Sequence, residues 1–306
     1  MNVRLQTILL FALVSWIWGS TWLAIRLGLQ GVPPLTAAAL RMAASGTILV
    51  CIGLLRREPW PRTRLYATHV LIQGAILFCF QYALIYWAEQ TVPSGLAAVL
   101  FATLPIFTAV NAALIFRMEH LSPVNVAGLA VGFIGVVVIY WSEVIHAGHA
   151  PPLGVAALLF AVIGPSFATV FAKRFAHGIS PLATVAPSQL IGGAILGMLA
   201  LTLEHGRSVH FTPISAGALA YLIVFGSCIV FLAYFTLLKR MPVTRLSVLT
   251  YITPVIAVLL GMSVAHEALA ATTLPGALLV LIGVWLVNRP HFKAPAPELR
   301  QPDKRL

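Results

Sequence analysis

The sequence predicts an all-α integral membrane protein of ten transmembrane helices, arranged as two inverted five-helix repeats. Three observations predict this. First, 60% of the 306 residues are hydrophobic and only 9% are charged, where a soluble domain carries about 25% charged residues. Second, the apolar residues gather into ten runs close to the roughly 20 residues that a helix needs to cross a bilayer. Third, prolines, glycines and a glutamate recur at offsets of 147 to 149 positions.

The runs lie at 7–28, 35–55, 67–88, 94–116, 123–141, 152–172, 183–203, 215–238, 245–265 and 271–288. The first follows a lone Arg4, as a signal peptide would. It continues for about 20 residues, has tryptophans in its middle and lacks a small-x-small cleavage site, so it reads as a retained span. The second contains Arg41, and the third carries Gln73, Gln81, Tyr82 and Tyr86 and ends at Glu89. The fourth holds Pro105 within "LFATLPIFTAV"; the fifth has a glycine stripe at Gly128, Gly132 and Gly135. The sixth carries "IGPSFATVF", and the seventh follows "GISP". The eighth bears Phe231, Tyr234 and Phe235, the ninth Pro254 within "LTYITPVIAVL", and the tenth Gly276 and Gly283. Connections are short, so neighbouring helices should be antiparallel. The tail "RPHFKAPAPELRQPDKRL" is Pro-rich and charged, a composition expected to stay disordered. The chain thus divides into a first repeat at 1–143, a second at 144–289 and a cytoplasmic tail at 290–306.

The net charge of +11 would suggest nucleic acid in a soluble protein. Here the cations lie between apolar runs. One side of the membrane takes Arg4, Arg56, Arg57, Arg62, Arg64, Arg117, Lys173, Arg174, Lys239, Arg240, Arg245 and the five of the tail region; the other takes Arg26 and Arg207, with Arg41 inside a span. The acidic residues divide evenly. The positive-inside rule then places both termini in the cytoplasm, as expected of a multi-pass protein of a bacterial inner membrane. The three cysteines, Cys51, Cys79 and Cys228, are scattered in apolar runs and suit neither disulfides nor zinc. No GxGxxG, GKS/T, HExxH or CxxC motif occurs, so neither cofactor nor metal is expected.

The repeat is read from a series of matches. Pro105 and Pro254 are 149 apart, as are Pro93 and Pro242; Glu119 and Glu267, Gly128 and Gly276, and Gly135 and Gly283 are 148 apart; Gly31 and Gly178, and Pro34 and Pro181, are 147 apart. A slowly drifting offset is what duplication with small indels produces. Five spans per copy is an odd number, so the second copy enters the membrane from the opposite side. Inverted repeats of this kind recur in secondary transporters, which place the substrate near the midplane and alternate between two openings.

The segments "WIWGSTWLAIRLGLQGVPPLTAAALRMAASG" and "VPSGLAAVLFATLPIFTAVNAALIFRMEHLSPVNVAGLAVGFIGVVVI" resemble the EamA family of the drug/metabolite transporter superfamily. The module appears twice and covers nearly the whole chain outside the tail. The resemblance implies ten spans, cytoplasmic termini, export of amino acids, other metabolites or drugs, and no cofactor. The chain departs from the family pattern in "RMEHLS", where a glycine commonly precedes the glutamate, and in "IGPSFATVF", which replaces the first copy's "WGS".

Candidate substrate-binding residues follow from helical spacing. Ser15, Trp18, Trp22 and Arg26 form one stripe, with Thr21 beside it. Such a stripe can stack an amphipathic substrate and pair its carboxylate; tryptophans at an interface and a snorkelling arginine would look the same. Gln81, Tyr82 and Tyr86 place polar groups at depth, where they should face the bundle interior. Phe231 and Phe235 align with Tyr82 and Tyr86, and Tyr234 lies close by. Phe101, Phe167 and Tyr251 complete the aromatic set. Arg41 at depth wants a partner, and Glu89 is the reachable acid. Arg26, Arg41 and Glu89 are therefore the gate or coupling candidates, and an Arg41–Glu89 pair is expected. Pro105 and Pro254 are the hinge candidates.

Other residues suggest structure. Asn111 is expected to serve packing, and Glu119 and Glu267 to end the proline spans. Glu143 and Glu204 read as loop residues, His69 and His266 as interfacial ones. The glycine stripes seat helices or a second copy of the chain. The function expected is export of small amphipathic metabolites, amino acids first, by alternating access. The alternatives are a broad drug effluxer of the same fold and, more remotely, a membrane-embedded enzyme, for which no nucleophile–base pair or metal cluster is present in the spans. The expected partners are a small-molecule substrate, the bilayer and a second copy, not nucleic acid.

Overall fold

The computed structural model describes residues 3–92, 97, 100–139, 141, 151–176, 178–253, 255, 256 and 272–288. Its helices are α1 (Val3–Gly28), α2 (Pro34–Leu55), α3 (Arg64–Ala88), α4 (Leu104–Ile115), α5 (Pro123–Ile139), α6 (Pro152–Phe175), α7 (Pro181–Leu203), α8 (Pro213–Arg240), α9 (Val243–Ser247) and α10 (Thr273–Asn288). Six of them, α1, α2, α3, α6, α7 and α8, are long and apolar enough to cross a membrane. α4, α5 and α10 are shorter apolar helices, and the ninth span continues from α9 through helical residues 249–253. Pro93, Glu143, Pro254, His266, Glu267, the boundary at 143/144 and the tail lie outside the described residues.

Several helices open on proline: Pro34, Pro123, Pro152, Pro181 and Pro213 each stand first. The first turn has no intrahelical use for the missing N–H, and proline's fixed φ suits a helix start. The turns that feed α2 and α7 contain Gly31 and Gly178, both with φ +80°. An L-residue with a side chain rarely adopts this conformation, so glycine is required at the same place in each copy.

Pro105 is likewise an initiator rather than a mid-helix fault. Ala102 and Thr103 form a turn, and Pro105 lies in the first turn of α4. The span is broken before the proline, which relieves the clash that an internal proline would cause. Pro165 in α6 and Pro187 in α7 are the prolines that do stand inside described helices. π-Helical turns occur at Gln73–Phe80 in α3 and Val224–Ile229 in α8, at like places in the two copies, and again at Asn111–Ile115 in α4.

α2 packs along α7, and α5 along α10. In lipid these contacts gain little from the hydrophobic effect and depend on close van der Waals approach, which small residues permit. A Cβ on Gly193 would lie 2.5 Å from the Ala43 nitrogen, and one on Gly46 would lie 2.7 Å from the Leu190 nitrogen. Between α5 and α10, a Cβ on Gly135 would meet the Val280 nitrogen at 2.6 Å, and one on Gly276 the Ile139 nitrogen at 2.7 Å. The glycine stripes therefore seat helices of one chain against each other.

Three carboxylates tie helix starts to distant helix ends. Glu204 is buried and accepts from the Leu35 and Thr36 backbone nitrogens, both at 2.8 Å, and from the Thr36 hydroxyl at 2.7 Å. It is a cap on α2 rather than the loop residue its position suggests. In the other copy, Ser180 at the start of α7 donates to Glu58. Glu119 accepts from the Val243 nitrogen at 2.5 Å and the Thr244 nitrogen at 3.2 Å, capping α9. Glu204 and Glu119 satisfy orphan N–H groups directly, Glu58 holds the Ser180 hydroxyl that caps the Ala183 nitrogen, and all three carboxylates meet the positive end of a helix. From the other side, the Lys173 ammonium donates to the carbonyls of Leu238 at 2.5 Å and Met241 at 3.1 Å. The turn joining α8 to α9 is thus gripped by an anion at its amides and a cation at its carbonyls.

Candidate functional site: an aromatic cavity shared by both copies

A cavity lies between the two copies. α1 contributes Trp18, Thr21, Trp22 and Ile25, α2 Arg41, α3 Leu77, Gln81, Tyr82 and Ile85, and the start of the fourth span Phe101 and Leu104. The second copy contributes Pro165 and Thr169 from α6, Phe231 and Tyr234 from α8, and Thr250 and Thr253 from the ninth span. Gly19 permits this assembly: a Cβ there would sit 2.7 Å from the Ile256 side chain and 3.1 Å from the Thr253 carbonyl oxygen.

The aromatic rings join across the copies. Trp18 meets Tyr234 at 5.0 Å between ring centroids and Phe231 edge-on at 5.9 Å. Phe231 also packs edge-on against Phe78 at 4.8 Å, and lies 6.5 Å from Tyr82. Trp22 meets Phe101 at 5.6 Å. Such rings fix one another's orientation and offer flat faces to an apolar group. The Tyr234 hydroxyl donates to Thr169 at 3.4 Å, so its polar end has a partner.

One cation stands among these rings. Arg41 is 1% exposed. Its Nε donates to the Ser227 hydroxyl at 2.8 Å, one terminal nitrogen to the Gly226 carbonyl at 2.6 Å, and the other to the Tyr86 hydroxyl at 3.3 Å. The guanidinium carbon lies 4.9 Å from the centre of the Tyr82 ring, a cation–π distance. Gly226 and Ser227 belong to the π-helical turn of α8, where the regular bonding of a helix is interrupted. All three hydrogen-bond partners are neutral. The expected ion pair with Glu89 is not formed: the guanidinium is turned toward α8, although Arg41 and Arg26 both act on the Glu89 carboxyl through space. One oxygen of Glu89 is buried without a hydrogen bond.

Of the eleven predicted substrate-binding residues, the structure brings Trp18, Thr21, Trp22, Gln81, Tyr82, Phe101, Phe231 and Tyr234 to this cavity. The other three stand apart from its lining. Tyr86 is buried behind it as a partner of Arg41. Phe167 packs with Phe116 at 5.3 Å and Phe171 at 6.3 Å. Tyr251 turns toward α5, donating to the Leu129 carbonyl at 2.9 Å and covering Gly132. Arg26 is exposed and does not line the cavity. Asn111 bonds Ser166 across to α6 at 2.7 Å, the packing role expected of it. His69 is fully buried, 3.3 Å from the Thr184 hydroxyl, and not at an interface. Sequence reasoning missed Pro165, Thr169, Thr250 and Thr253. The threonine pair directly before Pro254, three positions apart, was the available signal.

The EamA-like transporter family model matches residues 5–141 and again residues 152–289. The chain belongs to the EamA-like transporter family. Similar proteins agree with this assignment. The inner membrane transporter YedA of Escherichia coli K12 is 32% identical over 297 residues, covering 96% of this chain and 94% of YedA. PagO of Salmonella typhimurium LT2 is 28% identical over 281 residues, covering 91% of each. The transporter YoaV of Bacillus subtilis 168 is 24% identical over 274 residues, covering 89% of this chain and 93% of YoaV. A solved crystal structure shares the fold with a TM-score of 0.75 at 23% identity, covering 92% of this chain and 96% of the other. This EamA-family chain is therefore a multi-pass helical membrane transporter built from two EamA domains, and its family is one of transporters, not enzymes.

Proposed function

We propose that this EamA-family transporter exports small amphipathic metabolites, amino acids foremost, across the inner membrane by alternating access, with both termini in the cytoplasm. The observation that carries the reading is the cavity itself. It takes aromatic rings from both copies and sets one guanidinium among them. Rings suit an apolar side chain, and a cation suits a carboxylate.

Alternating access requires contacts between the copies that can break. The contact of the Glu119 carboxylate with the Val243 and Thr244 amides at the start of α9 is of that kind, being electrostatic and local. It lies at the end rich in basic residues, the cytoplasmic end under the positive-inside rule. The break before Pro105 gives the fourth span a joint, and Pro254 is its counterpart in the repeat. Arg26, Arg41 and Glu89 are the gate and coupling residues in this reading. Glu89 would carry the proton if transport is proton-coupled. The test is flux of labelled amino acids into liposomes holding the purified protein. Uptake above empty vesicles is expected for apolar and aromatic amino acids. No uptake across a broad amino-acid and metabolite panel would overturn the reading.

A further inference from the structure

We infer that Gln81 and Arg41 form a two-point recognition site for a carboxylate that carries a hydrogen-bond donor on the neighbouring carbon. The inference rests on the transport reading above and names what its cavity selects.

Gln81 lines the cavity and is 8% exposed. Its carbonyl oxygen is buried and has no hydrogen-bond partner. Two other buried glutamines also have carbonyl oxygens without a partner, but their amides are engaged. Gln73 donates its amide to the Ala168 carbonyl at 2.7 Å, and Gln189 donates to the Ser227 carbonyl at 3.4 Å; neither lines the cavity. These two tie helices together. Among the described residues, the Gln81 side chain ties nothing. Its cavity neighbours along α3, Leu77 and Ile85, are aliphatic, and a leucine at 81 would continue their stripe without an unsatisfied polar atom. A buried polar group without a partner costs stability, and such groups in native proteins call for an explanation. A ligand that donates to the oxygen explains this one.

Most of the cavity's hydroxyls make hydrogen bonds within the protein. The hydroxyls of Thr21, Thr250 and Thr253 each donate to a backbone carbonyl three residues earlier. Thr169 accepts from Tyr234. Arg41 uses three N–H groups on Ser227, Gly226 and Tyr86, leaving two of the five that a guanidinium carries. Its charge meets no carboxylate at ion-pair distance among the described residues. The cavity therefore offers an unpaired acceptor at Gln81 and, at Arg41, a cation without an ion-pair partner among the described residues. The complement is an anion with an adjacent N–H or O–H donor, an α-amino or α-hydroxy acid whose apolar body lies on the rings of Trp18 and Phe231. A cationic amphiphile without a carboxylate is refused, because burying it beside Arg41 would leave two like charges unpaired.

The experiment uses the full chain, purified in detergent, and four probes of one shape: phenylalanine, 3-phenyllactate, 3-phenylpropionate and 2-phenylethylamine. Ligand-dependent thermal stabilisation reports affinity. Phenylalanine and phenyllactate should bind about tenfold more tightly than phenylpropionate, which leaves Gln81 unpaired. Phenylethylamine should not bind. In Gln81→Leu the unliganded protein should melt at the same temperature or higher, and the preference for the donor should vanish. Gln81→Met gives the same contrast if leucine disturbs packing. The inference is overturned if phenylethylamine matches phenylalanine, if none of the four binds, if the preference survives in both variants, or if both variants melt lower and lose all ligands together. Liposome flux separates the two readings. Equal transport of phenylethylamine and phenylalanine would leave export standing and remove this site. The predicted binding order without any flux would keep the site and remove export.

Discussion

The two copies carry different residues at one aligned position: Arg41 in α2 and Ser188 in α7. Around that position the frame is duplicated. The preceding turns hold Gly31 and Gly178 at the same φ, the helices begin at Pro34 and Pro181, and a carboxylate ties each start, Glu204 on α2 and Glu58 on Ser180. Even the directions correspond. Arg41 reaches α8, and Ser188 donates at 3.2 Å to the Val70 carbonyl of α3, the counterpart of α8. The difference is that one residue brings a charge with donors to spare, while the other makes a single neutral hydrogen bond. Duplication supplies the frame and the two-sided architecture. The substitution within it supplies polarity, so that one face of the shared cavity is cationic and the other is not.

Substitutions at these positions measure the contrast. The largest effect is expected from Arg41→Ser, which makes the copies alike. It removes hydrogen bonds to Ser227, Gly226 and Tyr86 and leaves buried groups unpaired. Destabilisation of about 3 kcal/mol is expected, read as a lowered melting temperature together with lost flux. Arg41→Lys keeps the charge, but a single ammonium cannot reproduce the planar fork that spans three partners. About 1–2 kcal/mol should be lost by the same measurement. Glu204→Gln keeps the shape of the cap on α2 and removes its charge from the helix start. About 1 kcal/mol is expected, with substrate preference unchanged. Ser188→Ala should have the smallest effect, under about 1 kcal/mol, since one neutral bond is lost. A melting shift for Ser188→Ala as large as that for Arg41→Ser would erase the asymmetry.

Much of the frame was legible because its causes are local. Apolar runs of spanning length announce themselves, and prolines and glycines at a steady offset reveal duplication because each answers a backbone demand at one place. The stripe through Trp18 and Trp22 was read from helical spacing and Gln81 and Tyr82 from their polarity at depth, and the structure brings all four to the cavity; Tyr86, on the face of Tyr82 by spacing, stands behind it. What remained hidden depends on partners far along the chain. Arg41 turns to Gly226 and Ser227, 185 and 186 residues away, in a π-helical turn that composition does not announce. Glu89, the reachable acid at the end of the next span, looked the better partner. Phe167 and Tyr251 are as aromatic as Phe231, and only tertiary packing sends one ring to Phe116, one to Gly132 and one to Trp18. Glu204 follows the end of its span like any loop residue, and its capping role appears only when α7 lies beside α2.

The central claim is that both copies build one transport site, and ring truncation in each copy tests it most directly. The measurement is the initial rate of labelled phenylalanine counterflow in liposomes, for wild type, Trp18→Ala from the first copy and Phe231→Ala from the second, at matched amounts of folded protein. A fall of about tenfold or more in both variants is predicted, the loss expected when an anchoring ring is removed from a binding site. Wild-type rates in both variants, or a loss confined to one copy, would contradict a shared cavity as the path of the substrate.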